Sequence, residues 1–157
     1  MMENIGIAYD EMGLHDEAVE YLQQALNIKK ATLSEKSEDV AIVIHCLGKA
    51  EYERGRYKEA LEILNESLRL KSLLLMDDSE IIQSVLYLGH VERAIGNANE
   101  SLQHYNSVLR LRNNNFNDNE WSFGETLYWK AMIHLQREEH SIALNALREA
   151  MDTIEHD

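Results

Sequence analysis

A chain of 157 residues, 45% hydrophobic and 27% charged, is long and apolar enough to bury a core, which argues against a disordered polypeptide. Acidic residues outnumber basic ones by 28 to 15, for a formal net charge of −13, so no nucleic-acid partner is expected: the chain repels a phosphate backbone. Proline is absent, glycines number seven, and Cys46 is the single cysteine. Neither a disulfide framework nor a cysteine pair for zinc can form, and an all-α fold of long helices joined by short turns is expected.

The N-terminal stretch MMENIGIAYDEMG carries neither the basic segment nor the apolar run of a leader, and nowhere do 18 apolar residues follow one another. No membrane partner is expected, and a cytoplasmic location fits. From Ile5, IGIAYDEMGLHDEAVEYLQQAL recurs as LGKAEYERGRYKEALEILNESL from Leu47, as LGHVERAIGNANESLQHYNSVL from Leu88 and, less closely, as KAMIHLQREEHSIALNALREAM from Lys130. Steps of 42, 41 and 42 residues between those starts make the chain a repeat array.

Within each unit one small residue follows the first apolar one (Gly6, Gly48, Gly89, Ala131). A glycine inside a helix costs roughly 0.5–1 kcal/mol against alanine, so a close helix contact is predicted there. Seven residues on stand Gly13, Gly55 and Gly96, with Glu138 in the fourth unit; these mark helix ends, where the left-handed cap costs glycine least. Small residues return at Ala18, Ala60, Ser101 and Ala143, and at Ala25, Ser67, Val108 and Ala150. Between them Leu61, Leu64 and Leu68, then Leu102, Tyr105 and Leu109, keep a helical period, so each unit reads as a hairpin of two helices. Asp77 with Glu80 and Ser122 with Glu125 fit capping boxes at helix starts. The stretch NNNFNDNEW from Asn113 to Trp121 reads as a loop, with Phe116 or Trp121 tucked against a helix. The units are placed at 1–36, 37–77, 78–118 and 119–157, as one domain. Leu144, Leu147, Met151 and Ile154 give the last helix an apolar face able to accept another helix, so membership of a longer solenoid is expected.

Catalytic chemistry finds no footing. The sequence holds no HExxH, GxSxG, phosphate-loop or dinucleotide glycine pattern, and His134 and His140 straddle a predicted turn without a third ligand at metal spacing. His45 and Cys46 are adjacent and diverge by about 100° on a helix; the acidic pair Glu138 and Glu139 diverges likewise. No enzyme activity, cofactor or metal is expected.

The order small-after-apolar, glycine turn, small, large apolar, small resembles the tetratricopeptide repeat, and the 42-residue step resembles the longer repeat of kinesin light chains. The linkers LSEKSEDVA and LMDDSEII resemble the connection of that subclass, with Glu38 and Ser79 where its proline stands. The aromatic usual in the first helix remains only as Tyr9, with Glu51, Glu92 and His134 at the matching places. The resemblance implies a right-handed superhelix of about four antiparallel hairpins whose first helices line a concave groove for a partner protein. Carried over position by position, that groove is lined by Asn4, Ile7, His45, Lys49, Tyr87, His90, Arg93, Trp129 and Met132. Lys49, His90 and Arg93 would make a basic stripe bracketed by Tyr87 and Trp129, suited to a peptide with acidic and apolar residues. The carboxylate clamp of chaperone-tail-binding members is not expected, because Asn4 alone matches it while Glu3 and Cys46 occupy neighbouring clamp places. A scaffold or adaptor is the leading expectation; a ligand-responsive sensor and self-association through terminal helices are the alternatives.

Overall fold

A computed structural model describes residues 1–113 and 120–155. Eight helices run through them in chain order: α1 (Met2–Glu11), α2 (His15–Thr32), α3 (Glu38–Glu53), α4 (Tyr57–Leu73), α5 (Asp78–Ile95), α6 (Ala98–Asn113), α7 (Glu120–Gln136) and α8 (His140–Glu155). Each helix packs on the one before and the one after it, and the first helices α1, α3 and α5 also touch across hairpins. The described chain is an all-helical stack of hairpins in a solenoid. The linker residues 114–119, with Phe116, and the side chains of Trp121 and Ile154 lie outside the described residues.

The turns follow from three glycines. Gly13, Gly55 and Gly96 have φ of +79°, +77° and +100°, and the residue after each donates its amide five residues back: Leu14 to Tyr9 (2.9 Å), Arg56 to Glu51 (2.9 Å) and Asn97 to Glu92 (2.8 Å). That is a Schellman end. The fourth hairpin builds the same end without glycine: Glu138 sits at φ +61° and Glu139 donates to the His134 carbonyl at 2.9 Å. An L-residue in this region costs roughly 1–2 kcal/mol, and the Glu138 side chain is exposed. Glu138→Gly therefore raises stability by about 1 kcal/mol, readable as a higher urea midpoint.

The helix-interior glycines let helices of one hairpin approach. A Cβ built on Gly6 would lie 2.8 Å from Leu22 Cγ, on Gly48 2.7 Å from Leu64 Cγ, and on Gly89 2.7 Å from Tyr105 Cε1. Gly48→Ala accordingly costs about 1–3 kcal/mol in chemical denaturation through overpacking, outweighing a propensity gain of up to about 1 kcal/mol. The other small positions, Ala18, Ala60, Ser101 and Ala143, are fully buried. The two serines among the small residues satisfy themselves: Ser67 Oγ donates to the Ala41 carbonyl (2.9 Å) and Ser101 Oγ to that of Gly89 (2.8 Å).

Asp77 caps α5 by accepting from the Glu80 amide at 3.2 Å. The second expected box is corrected: α7 has begun by Glu120, so Ser122 lies inside the helix. Of the expected loop from Asn113 to Trp121, Asn113, Glu120 and Trp121 are helical and residues 114–119 lie outside the described residues. Ser37 caps α3 through the Val40 amide at 3.2 Å. Lys71 is wholly buried, donating to the Glu80 carbonyl and pairing with the Glu80 carboxylate, both at 3.0 Å. Among the described residues no helix is long and apolar enough to cross a membrane.

Candidate partner-binding face

The first helices of the second, third and fourth hairpins bring their rings into one run. Tyr52 of α3 lies 6.1 Å from Tyr87 and 6.2 Å from His90 of α5, the latter nearly parallel. Tyr87 and His90 meet at 5.5 Å edge-on, and His90 meets Trp129 of α7 at 5.9 Å. The Arg93 guanidinium lies over the Trp129 ring at 4.0 Å, a cation–π contact. Tyr52, Tyr87, Arg93 and Trp129 are all half-buried, so the run keeps exposed edges.

Beneath it lies a polar layer. His90 Nδ1 is 2.7 Å from the Tyr105 hydroxyl of α6, and His45 Nδ1 is 3.2 Å from Ser84 Oγ. Burial drives both imidazoles toward the neutral form: His45 is lowered to about 3, with Lys71 and Lys49 adding, and His90 to about 4, with Arg93 adding. Burial raises the Tyr52 and Tyr105 phenols, an effect that Arg93 partly offsets through charge and hydrogen bonding. Tyr87 is also raised, by burial first and then by the carboxylates of Glu53, Glu125 and Asp10.

The expected basic stripe is corrected by these contacts. His90 is buried and neutral, because the energy of desolvating an imidazolium exceeds the pull of Glu125, 3.9 Å from its Nε2. Lys49 stands 5.8 Å over the Tyr87 ring, but its charge is answered by Asp10 at 3.6 Å. Arg93 forms no ion pair among the described residues, and its buried Nε has no hydrogen-bond partner. Among the described residues the face is thus aromatic, with Arg93 as a cation outside any ion pair. His45 lies buried against α5, and Asn4 and Ile7 on α1 and Met132 on α7 stand outside the aromatic run: Asn4 is exposed, Ile7 and Met132 half-buried.

Two contributors were missed, Tyr52 and Asp10. Both stand four residues after the small residue of their unit, as Arg93 does after Gly89; the repeat register itself was the signal that could have found them.

Burial pushes the Cys46 thiol up to about 11, away from the reactive thiolate. His134 lies in the last turn of α7 with its Nδ1 on the Glu139 carboxylate, while His140 opens α8. Among the described residues no group of three His, Cys, Asp or Glu is placed to hold a metal.

Comparison with known proteins agrees with this architecture. Residues 1–72 match the family model described as Tetratricopeptide repeat, and no curated protein matches the chain. Among solved structures, BtubC (BKLC) from P. vanneervenii superposes with a TM-score of 0.89 at 16% identity, over 99% of this chain and 62% of its own. A Podosopora anserina kinesin light chain with nearly identical TPR-like repeats gives 0.75 at 20% identity, over 99% and 71%. A Rap protein complexed with Competence and Sporulation Factor gives 0.83 at 14% identity, over 97% and 41%. The chain therefore spans about three-fifths of the first of these proteins and two-fifths of the last. Residues 1–72 match the tetratricopeptide repeat model, and the chain as a whole has the helical-repeat fold of these structures.

Proposed function

We propose that the chain is a non-enzymatic scaffold or adaptor that takes a segment of a partner protein along the concave face of its first helices. The observation that carries this reading is the run of half-buried Tyr52, Tyr87 and Trp129 about the buried His90 ring, with Arg93 laid over Trp129. Tyrosine, tryptophan and arginine are the residue types that dominate binding hot spots, because they bury much area with little rotamer entropy lost. The partner segment carries an aliphatic or aromatic anchor for the ring edges. One acidic group beside that anchor meets Arg93; a run of acids is disfavoured by Asp10, Glu53 and Glu125 around Tyr87. The match to a Rap protein solved with Competence and Sporulation Factor is in keeping with partner capture by this fold. The chain acts in the cytoplasm, as one repeat domain.

Peptide display on the purified chain tests the reading, with counter-selection against a Tyr87→Ala, Arg93→Gln double variant of unchanged helicity. Enrichment of anchor-plus-acid peptides on the unmutated chain alone is the expected result. Enrichment indifferent to the two substitutions moves recognition off this face.

A further inference from the structure

After Tyr105, Lys71 is the bulkiest fully buried side chain among the described residues, and neither the apolar core nor the partner-binding face accounts for its charge. It lies in the last turn of α4, where its own carbonyl accepts the Met76 amide of the linker at 3.0 Å. Its ammonium crosses to the next hairpin and meets the Glu80 carbonyl and carboxylate, both at 3.0 Å. Glu80 is itself held, since its amide donates to the Asp77 cap at 3.2 Å.

The bridge recurs with the repeat. Lys29 of α2 and Arg112 of α6 stand at the place of Lys71, one unit before and one unit after. Lys29 reaches Asp39 of α3 at 3.6 Å, and Asp39 is the counterpart of Glu80 one unit earlier. Burial lowers Arg112, and Glu125 of α7 offsets part of that. Of the three cations Lys71 alone is fully buried. A buried ion pair is weak evidence for stability, because apolar residues of similar volume often serve as well or better; its best-attested use is to fix a register. A shift of the third hairpin along the second disturbs the apolar cluster of Leu64, Leu88 and Val91. It also strands the Lys71 ammonium without either acceptor, in a place water does not reach.

The bridge lies on the side of α5 that carries the aromatic face. Glu80, Ser84 and Tyr87 follow one another at helical spacing. Glu80 bonds Lys71 of α4, Ser84 Oγ lies 3.2 Å from His45 Nδ1 of α3, and the Tyr87 ring meets His45 at 5.7 Å and Tyr52 at 6.1 Å. We propose that Lys71 is a positioning residue: its bridge to Glu80 locks the third hairpin on the second in the one register that lays Tyr87 and His90 of α5 beside Tyr52 of α3. The lock itself needs no partner; its effect on binding rests on the partner-binding role of that face.

Pulsed electron paramagnetic resonance on the full chain tests the lock, with spin labels at Glu62→Cys of α4 and Gln103→Cys of α6 in a Cys46→Ala background. The two labelled positions are exposed and equivalent in successive units. Lys71→Met with Glu80→Leu replaces the bridge by apolar side chains. The expected result is unchanged helicity and a urea midpoint that does not fall, with a label distance that is single and narrow in the chain carrying the bridge and broad or split without it. Calorimetric affinity for a peptide selected by display falls about tenfold, as when the competent register drops to about a tenth of the population. Lys71→Met alone leaves a carboxylate 28% exposed and within reach of water, and it gives the same reading should the paired change fail to fold. A distance that stays narrow without the bridge overturns the lock. So does peptide affinity that survives loss of the bridge but is weakened by Tyr87→Ala. A peptide indifferent to Tyr87→Ala counts against the face instead, and the label distance then decides the lock by itself.

Discussion

Truncating Tyr105 to alanine lowers the free energy of unfolding by about 3–5 kcal/mol, the range for an aromatic removed from a packed core. Tyr105 is the largest fully buried side chain in the described chain. It fills the place of Leu22 and Leu64 in the earlier hairpins, and its ring lies where Gly89 has no side chain. Its hydroxyl meets His90 Nδ1 at 2.7 Å, so Tyr105→Phe keeps the volume and costs about 1–3 kcal/mol through a buried nitrogen left without its partner. Stability in a repeat array is close to a sum of unit and neighbour terms. Hydrogen exchange therefore rises in α5, α6 and α7 of the alanine variant while α1 and α2 change little. Uniform loss of protection along the chain would show cooperativity that the stack does not explain.

Acidification has an effect of similar size. His45 and His90 are held neutral in the fold, at about 3 and about 4 against an ordinary 6.5. The unfolded chain therefore binds more protons than the folded chain once the pH falls below about 6.5. The stability these two groups contribute is fully present above that value and is lost as pH falls toward their folded values. At pH 5 the loss is about 2 kcal/mol for each histidine, from 1.5 units at 1.36 kcal/mol per unit. Groups facing them do not reverse the sign: Lys49, Lys71 and Arg93 repel the added charge, and Glu125 attracts it only weakly from 3.9 Å. Urea midpoints measured between pH 7.5 and 5 should fall accordingly, and His45→Gln with His90→Gln should flatten the dependence even if it lowers the midpoint throughout. A midpoint indifferent to pH in the unmodified chain would contradict the burial of both rings.

How much of this was legible in the sequence depends on which kind of contact is asked about. Contacts inside one hairpin repeat with the chain, so Gly48, Ala60 and Gly55 announced a close approach, a buried small residue and a turn, and each is found so. The fourth hairpin was legible in its length even though Glu138 replaces the turn glycine, because the hydrogen-bonded end survives at a positive φ. The start of α7 was not, since Ser122 and Glu125 satisfy a capping pattern that an upstream start makes irrelevant. The face was half legible: its rings were in the expected register, its charge was not. The burial of His90 and the pairing of Lys49 involve residues 15 and 39 positions away, Tyr105 and Asp10, which meet them only once the helices pack. Tyr52 was passed over because a tyrosine among charged residues looks solvated until α5 is laid beside it.

The account stands most directly on one titration. A peptide selected on the unmodified chain is titrated calorimetrically into that chain, the Tyr87→Ala chain and a Leu144→Lys chain. A hot spot of at least about 2 kcal/mol on the aromatic face predicts roughly thirtyfold weaker binding for Tyr87→Ala and unchanged binding for Leu144→Lys. Equal affinity for the unmodified and Tyr87→Ala chains would contradict it.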